Sequence, residues 1–254
     1  MKTRLEGGQS CPQPAFSRLQ PPGKAAAAKI GSQDWPPSNS NGLRWVSDRA
    51  QGPLFAARYD GPVSPNVIIV AGPNGAGKTT ASADILVGAL AVQEFVNADI
   101  IAKGLSSFQP ESVAFDAGRI MLQRLHHLTA QRADVAFETT LASRTFAAWI
   151  KGLTPTGYQF HLLFFWLPSA DMAVARVRQR VLEGGHHVLE ETIRRRYEAG
   201  LRNFFRIYRP LAASWQFYDN SVRGQRRLIA SGGRDQPDLV IDQELWNNVS
   251  REWR

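Results

Sequence analysis

The 254-residue sequence contains a single cysteine, Cys11, and no long run of apolar residues. One cysteine cannot form an internal disulfide bond and has no neighbouring thiolates with which to share a metal, which favours a reducing compartment. No stretch approaches the roughly 20 consecutive apolar residues of a membrane span, and the N-terminus lacks the apolar core of a signal peptide. These absences predict a cytoplasmic protein that has no contact with a membrane.

The composition, with 43% hydrophobic and 10% aromatic residues, is sufficient for a real core and excludes fibrous, wholly disordered and disulfide-stapled miniature proteins. A net charge of +8 would suit a polyanionic partner such as nucleic acid. Residues 176–209, however, hold nine arginines against four glutamates, so much of the excess lies on one segment.

The first 61 residues contain seven of the 15 prolines and seven of the 21 glycines, without a sustained helical or alternating pattern. Such a segment buries too little apolar surface to offset its ordering entropy. We therefore predict that residues 1–61 form a mostly disordered N-terminal extension and that residues 62–254 form one domain.

From residue 63 onward, short apolar runs alternate with longer segments of helical period, which is typical of βαβ units around a parallel sheet. The prediction from this pattern is an α/β fold with a mostly parallel sheet. Strands are predicted at 66–71, 94–97, 134–138, 158–167, 215–218 and, as a short last strand, 228–230. Helices are predicted at 78–90, 111–131, 143–152, 169–183, 190–213 and 243–253.

A complete G-x-x-x-x-G-K-[ST] phosphate-binding motif follows the first of these strands and opens a helix, as its function requires. Its residues are Gly72, Pro73, Asn74, Gly75, Ala76, Gly77, Lys78 and Thr79, followed by Thr80. Such a loop wraps backbone N–H groups around a phosphate, which also faces the positive end of the helix. Lys78 is predicted to bind the β and γ phosphates of ATP, and the Thr79 hydroxyl to ligate Mg²⁺.

Acidic residues follow two further strands, at the sheet edge where ligands of parallel sheets bind. Asp99 is the candidate base that orients an acceptor hydroxyl for attack on the γ-phosphate. Glu138, with Thr140, is predicted either to serve Mg²⁺ through water or to hold the acceptor. The structural alternatives are that Asp99 caps a helix beginning near Ile100 and that Glu138 and Thr140 cap the helix near residue 144.

The arginine-rich segment, about residues 176–196, is predicted to form a helix, a glycine turn and a second helix. This arrangement is typical of a lid that closes over the phosphates of ATP. Arg176 and Arg180 share one helical face, and residues 193, 197, 201, 204 and 208 form a buried stripe on the second helix. Most of these arginines are expected on a solvated face, paired with glutamates. An RNA-binding helix is the other alternative, although its aromatic residues keep the period of a core. His186 and His187 are interpreted as turn residues.

Taken together, the motifs resemble the zeta-toxin family of P-loop kinases over about residues 64–231. They are the phosphate loop, Asn97-Ala98-Asp99, Phe137 to Leu141, Arg176 to His186, Arg194 to Tyr197 and Tyr218 to Ser221. The resemblance implies an α/β fold of the P-loop kinase type, a three-layer sandwich with a mostly parallel sheet and an α-helical lid. It also implies ATP and Mg²⁺ as cofactors, a UDP-N-acetyl amino sugar as the acceptor, and a separately encoded antitoxin as a partner. It makes Lys78 the phosphate-binding lysine, Asp99 the base, and Glu138 and Thr140 the acceptor contacts, with Arg180 and Arg196 holding phosphates.

Two other functions remain open at this point. The phosphate loop, the carboxylates and the lid arginines would also suit a kinase that acts on a nucleotide or on a polynucleotide end. Outside the enzymes, an ATP-gated module could bind RNA through the arginine-rich helix, although the clustering of the arginines disfavours nucleic acid as a partner.

Overall fold

The computed structural model describes residues 46–48, 52–54, 64–82, 85–86, 92 and 94–253. Two three-residue strands, β1 (Val46–Asp48) and β2 (Gly52–Leu54), pair antiparallel. Most of the predicted N-terminal extension, Cys11 included, lies outside the described residues, and its disorder stays a prediction.

The main sheet has seven strands in the described part of the chain, and the first five in spatial order run parallel. They are β3 (Asn66–Ala71), β4 (Glu94–Val96), β5 (Val135–Thr139), β6 (Gln159–Trp166), β7 (Ser214–Asp219), β8 (Arg227–Gly233) and β9 (Gln236–Val240). The order is β4-β5-β3-β6-β7-β8-β9, in which β8 pairs antiparallel with β7 and β9 pairs antiparallel with β8. The predicted α/β class with a mostly parallel sheet is confirmed.

Helices lie between the parallel strands along the chain, and the last helix follows β9. They are α1 (Lys78–Ser82), α2 (Ala98–Leu105), α3 (Ala114–Ala130), α4 (Thr145–Leu153), α5 (Ala170–Leu182), α6 (Glu190–Asn203) and α7 (Gln243–Trp253). In the main sheet, β3 is the first strand along the chain and lies between β5 and β6. The chain forms β4 and β5 on one side of β3 and then crosses over to form β6 on its other side. This reversal opens a crevice at the carboxyl ends of the strands, the usual ligand position in such sheets.

Three predictions about the elements were wrong in detail. The strand predicted at 228–230 is seven residues long and is followed by β9, whose residues are mostly exposed and so carry no apolar signal. The helix predicted at 190–213 ends at Asn203 and continues as a π turn, Phe204–Tyr208, and a 3₁₀ turn. The short helix α2 was expected only as the helix beginning near Ile100 in the capping alternative for Asp99, and it begins two residues earlier, at Ala98.

The core lies on both faces of the central strands. In β6, seven of the eight residues are buried, as expected for a strand covered on both sides. The stripe predicted on α6 is also buried, with Ile193, Leu201 and Phe204 at 1% exposure or less. Among the described residues, no helix is long and apolar enough to cross a membrane.

Candidate active site

The phosphate loop leaves β3 in a backbone shape that depends on glycine. Gly72 has φ +142°, and a Cβ there would lie 2.2 Å from the carbonyl oxygen of Phe165 in β6. Gly77 has φ +75°, and its Cβ would lie 2.9 Å from the Asn220 amide nitrogen. Side chains at these positions would push the loop away from the sheet. The glycines of the motif therefore serve this close approach as well as phosphate binding.

Two polar side chains fix the outer side of the loop. The amide of Asn220, just after β7, donates to the Ala76 carbonyl at 2.5 Å. The guanidinium of Arg176 on α5 donates to the carbonyls of Asn220 (2.8 Å), Ser221 (2.6 Å) and Gly75 (3.4 Å). Arg176 thus ties α5, the loop and the end of β7 together, a structural role that its position on the arginine-rich face did not indicate.

Lys78 lies at the first position of α1 and is 7% exposed. Its Nζ donates to the Pro73 carbonyl at 3.0 Å and lies 3.7 Å from Oε1 of Glu138. Burial lowers the pKa of Lys78, while the negative charges of Glu138 and Asp99 raise it and Arg180 lowers it further. The lysine therefore faces both candidate carboxylates of the site.

Glu138 is the centre of a hydrogen-bond network at the end of β5. Its Oε2 accepts from the Thr79 hydroxyl at 2.8 Å and from the Asn97 amide at 2.9 Å. The expected alternative, that Glu138 caps the following helix, is wrong. The turn beyond it is held by Thr139, whose hydroxyl accepts from Leu141 N, and by Ser143, whose hydroxyl accepts from Thr145 N.

Asp99 lies in the first turn of α2, beyond the end of β4. The helix is capped by Asn97, whose side-chain oxygen accepts from the backbone N–H groups of Asp99 (2.8 Å) and Ile100 (3.3 Å). The alternative that Asp99 itself is the cap is therefore wrong, because Asn97 fills that position. The side chain of Asp99 stays 58% exposed at the rim of the site.

The segment after β5, which carries Thr140, is held in place by α6. Leu141 is fully buried with φ +62°, an unfavourable conformation for a branched side chain. Its carbonyl accepts from the Asn203 amide at 2.8 Å. A Cβ on Gly200 would lie 2.5 Å from the Thr140 carbonyl oxygen, so glycine allows α6 to approach this closely. The second helix of the predicted lid thus also shapes the floor of the site.

The predicted lid arginines occupy different sides of the site. Arg180 on α5 lies beside the phosphate loop and donates to the His186 carbonyl at 3.3 Å. Arg196 on α6 faces Asp99, whose charge opposes the lowering of the Arg196 pKa by burial. Arg178 and Arg194 form exposed ion pairs with Glu190, at 2.6 and 2.8 Å, the solvated role expected for most of the segment.

Two cavities meet at Lys78 and Glu138. The loop cavity, about 440 Å³, lies over the phosphate loop and is also lined by Thr79, Arg180 and Asn220. The α3 cavity, about 400 Å³, lies on the other side of these two residues. It is lined by the polar residues Asn97, Asp99, Thr140 and Arg196 and by the apolar residues Phe115, Met121, Leu122 and Phe146.

A third cavity, the lid cavity of about 310 Å³, adjoins the α3 cavity at Asp99 and Arg196 and is bounded by His186, Glu111 and Thr192. The fold therefore gathers the predicted residues Lys78, Asp99, Glu138, Thr140 and Arg196 around one cavity and Arg180 around its neighbour. Sequence reasoning missed the positioning roles of Asn97, Arg176, Asn203 and Asn220. The signal for Asn97 was an Asn directly before a helix, a frequent cap.

The parallel sheet, the glycine loop and the buried lysine at the start of α1 define a P-loop nucleotide-binding protein. Residues 67–204, more than half of the chain, match the family model described as an AAA domain. The protein belongs to this AAA-domain family.

A sequence relative is an uncharacterised protein of Haemophilus influenzae, 28% identical over 130 residues, which are 51% of this chain and 91% of that protein. A chain of the AvrRxo1-ORF1:AvrRxo1-ORF2 complex with sulphate ions has a TM-score of 0.60 and 17% identity. The match covers 74% of this chain and 64% of that one, less than two thirds of its length.

The PezAT chromosomal toxin–antitoxin system of Streptococcus pneumoniae is also similar. Its matching chain has a TM-score of 0.53 and 15% identity, with coverage of 75% of this chain and 80% of that one. At these identities the two solved structures establish the shared fold.

Proposed function

We propose that the protein is an ATP-dependent phosphotransferase of the zeta-toxin type, in which residues 62–254 transfer the γ-phosphate to a hydroxyl of a small acceptor. The observation that carries the proposal is the meeting of two cavities at Lys78 and Glu138. In-line transfer needs a nucleotide on one side of the transferred phosphoryl group and an acceptor on the other. The loop cavity and the α3 cavity supply these two positions.

On the nucleotide side, the loop N–H groups would hold the phosphates of ATP and Lys78 would contact the β and γ phosphates. The Thr79 hydroxyl and the Glu138 carboxylate, 2.8 Å apart, are oxygen ligands of the kind that Mg²⁺ prefers. When bound, Mg²⁺ would neutralise charge that develops on the phosphates. Similar support for ATP comes from the AvrRxo1 complex, which has also been solved with ATP.

On the acceptor side, the Asp99 carboxylate takes up the proton of the attacking hydroxyl. Thr140 contacts the acceptor beside it, and Glu138 and Arg196 line the same cavity. Arg180, on the loop side, contacts the phosphates and stabilises their charge in the transition state. Each residue acts from the position in which the fold holds it, so little rearrangement is required.

The first acceptor to test is a UDP-N-acetyl amino sugar, because the motifs resemble the zeta-toxin family. The α3 cavity suits an acceptor that carries both hydroxyl groups and an apolar or planar group, since Phe115, Leu122 and Phe146 line it together with the polar residues. A toxin of this type would have an antitoxin as its partner, and the PezAT system is a toxin–antitoxin pair of this kind.

A nucleotide or polynucleotide-end kinase uses the same parts and is the alternative within enzymes. The alternative of an RNA-binding module needs exposed aromatic residues between the arginines. In α6 and the π turn, Tyr197, Phe204, Phe205 and Tyr208 are all at most 8% exposed. They pack in the core and are not available for stacking on bases.

The test is to incubate the protein with Mg·ATP and UDP-N-acetyl amino sugars, other UDP-sugars, nucleosides and short oligonucleotides, and to identify products by mass spectrometry. We expect a phosphorylated small molecule, no product with Lys78→Ala, and a kcat lower by on the order of 10²-fold or more with Asp99→Asn. ATP should still bind the Asp99→Asn variant, which can be measured by calorimetry.

Slow ATP hydrolysis without transfer to any acceptor would refute the phosphotransferase. Phosphorylated oligonucleotide ends would favour the polynucleotide kinase instead. RNA binding with a steep salt dependence that survives Lys78→Ala would favour the binding module. A normal kcat in Asp99→Asn would remove Asp99 as the base.

A further inference from the structure

The loop between α5 and α6 brings a histidine against the candidate base. In this loop Gly184 has φ +86°, and Gly185 N donates to the Arg180 carbonyl at 2.8 Å. A Cβ on Gly185 would lie 2.6 Å from Cγ of Arg180, so glycine permits the tight turn. The turn places Nε2 of His186 3.9 Å from Oδ2 of Asp99.

His186 is partly buried, and its backbone is tied to α5. Its side chain is 16% exposed, and its carbonyl accepts from Arg180 at 3.3 Å. Its neighbour His187 is exposed and has no such contact with Asp99. Two adjacent histidines of the same loop therefore differ in whether they face the carboxylate.

The charged groups that face His186 come from four elements. They are Asp99 and Lys103 of α2, Glu111 of the short turn before α3, Arg180 of α5 and Arg196 of α6. Burial lowers the pKa of His186, Asp99 and Glu111 raise it, and Arg180 and Lys103 lower it. At neutral pH the imidazole is therefore uncharged and can act as a hydrogen-bond donor through one nitrogen.

We propose that His186 is a positioning residue of the transfer reaction, which faces Asp99 from the lid loop and donates to its carboxylate when the acceptor binds and the 3.9 Å separation closes. The proposal rests on the proposed function, since it assigns Asp99 the role of base. One carboxylate oxygen faces His186 and the other accepts the proton of the acceptor hydroxyl. This contact makes the position of the base depend on the position of the lid.

Protonation of His186 replaces a neutral imidazole beside the Asp99 carboxylate with an imidazolium, which forms an ion pair with it. An imidazolium beside Asp99 favours the ionised carboxylate and makes it a weaker proton acceptor. The transfer rate should therefore decrease as the pH falls through the pKa of His186, below 6.5. A glutamine at this position keeps a donor but does not titrate, so it separates the positioning effect from the charge effect.

The contact itself can be tested without any acceptor by NMR titration of the five histidines in the full chain. Removing the charge of Asp99 with Asp99→Asn should lower the pKa of His186. An unchanged His186 pKa in Asp99→Asn would overturn the proposal, whether or not the protein is a kinase.

The role in catalysis is tested with the acceptor that the product screen identifies. We expect His186→Ala to lower kcat on the order of tenfold with little change in the KM for ATP, as misplacement of a reacting group does. His186→Gln should recover much of kcat at pH 7.5 and move the acid limb of the kcat profile to lower pH. His187→Ala and His187→Gln are the matched controls and should retain the wild-type profile.

The outcomes distinguish the two proposals. If the wild-type protein transfers phosphate and the His186 variants behave like the His187 variants, the positioning role is wrong and the phosphotransferase stands. If the wild-type protein transfers phosphate to no acceptor, the proposed function fails and the positioning role fails with it, while the titration still decides the contact.

Discussion

A buried histidine makes the stability of this fold depend on pH. His161 lies in β6, between β3 and β7, at the end of the sheet opposite the phosphate loop. Its Nδ1 is 2.8 Å from the Ser214 hydroxyl and its Nε2 is 3.0 Å from Oδ1 of Asn66. The Asn66 amide nitrogen donates to Ser64 and Asp134, which fixes its oxygen toward the histidine. Nε2 therefore carries the proton of a neutral ring.

The magnitude follows from the pKa. Burial lowers the pKa of His161 from 6.5 to about 4, which corresponds to about 3 kcal/mol at 1.36 kcal/mol per pH unit. Because the folded pKa is the lower one, the unfolded chain binds the proton first as the pH falls. The contribution of neutral His161 to the free energy of unfolding is fully present above pH 6.5 and is lost between pH 6.5 and about 4. This is a large part of the usual stability of a domain.

The assay is urea unfolding at several pH values between 7.5 and 4 for the wild-type protein, His161→Gln and His127→Gln. His127 is exposed and provides the matched control. We expect the wild-type protein and His127→Gln to lose about 3 kcal/mol more than His161→Gln over this range. Acidic residues titrate in all three proteins and cancel in the comparison. Parallel stability curves for the wild-type protein and His161→Gln would refute the reasoning.

Two further predictions concern residues that position the site. Asn97→Ala removes the cap of α2 and the contact with Glu138, and should cost about 1 kcal/mol in urea unfolding and also lower kcat. The control is Ser169→Ala, which removes the cap of α5 at similar cost and should leave kcat unchanged. Equal kcat values in Asn97→Ala and Ser169→Ala would contradict the role of Asn97 in the site. Gly72→Ala should lower the melting temperature and abolish nucleotide binding, because its Cβ would overlap the Phe165 carbonyl. The control is Gly104→Ala in α2, where an added Cβ has no atom within 4 Å and should be neutral or stabilising. A similar loss of melting temperature and nucleotide binding in Gly72→Ala and Gly104→Ala would show that the close approach at Gly72 is unimportant.

The sequence by itself determined the class of fold and the nucleotide loop. Alternation of apolar runs with helical segments predicted β3 at its observed bounds and α7 likewise. The loop motif is local, since its glycines, its lysine and its threonine act within eight consecutive residues. Local patterns of this kind can be predicted from the sequence, because the spacing of residues along the chain fixes the geometry of the loop or element that they form.

Two short elements, β9 and α2, could not be placed from the sequence in this way. The edge strand β9 is mostly exposed and has no alternating apolar pattern, and α2 is only eight residues long and buries a single side chain. Likewise, the helical pattern of α6 continues through a π turn, because the buried aromatic residues keep nearly the same spacing there.

Only the tertiary structure decided which residues meet. Glu138 is 41 residues from Asn97 and 59 from Thr79, yet one of its oxygens contacts both. Arg176 faces the same side as Arg180, but carbonyls of two distant segments occupy its guanidinium. His186 lies opposite Asp99 because a glycine turn folds the lid loop back toward α2. Residue type and spacing define what a side chain can do, whereas the packing of distant segments determines the atom on which it acts.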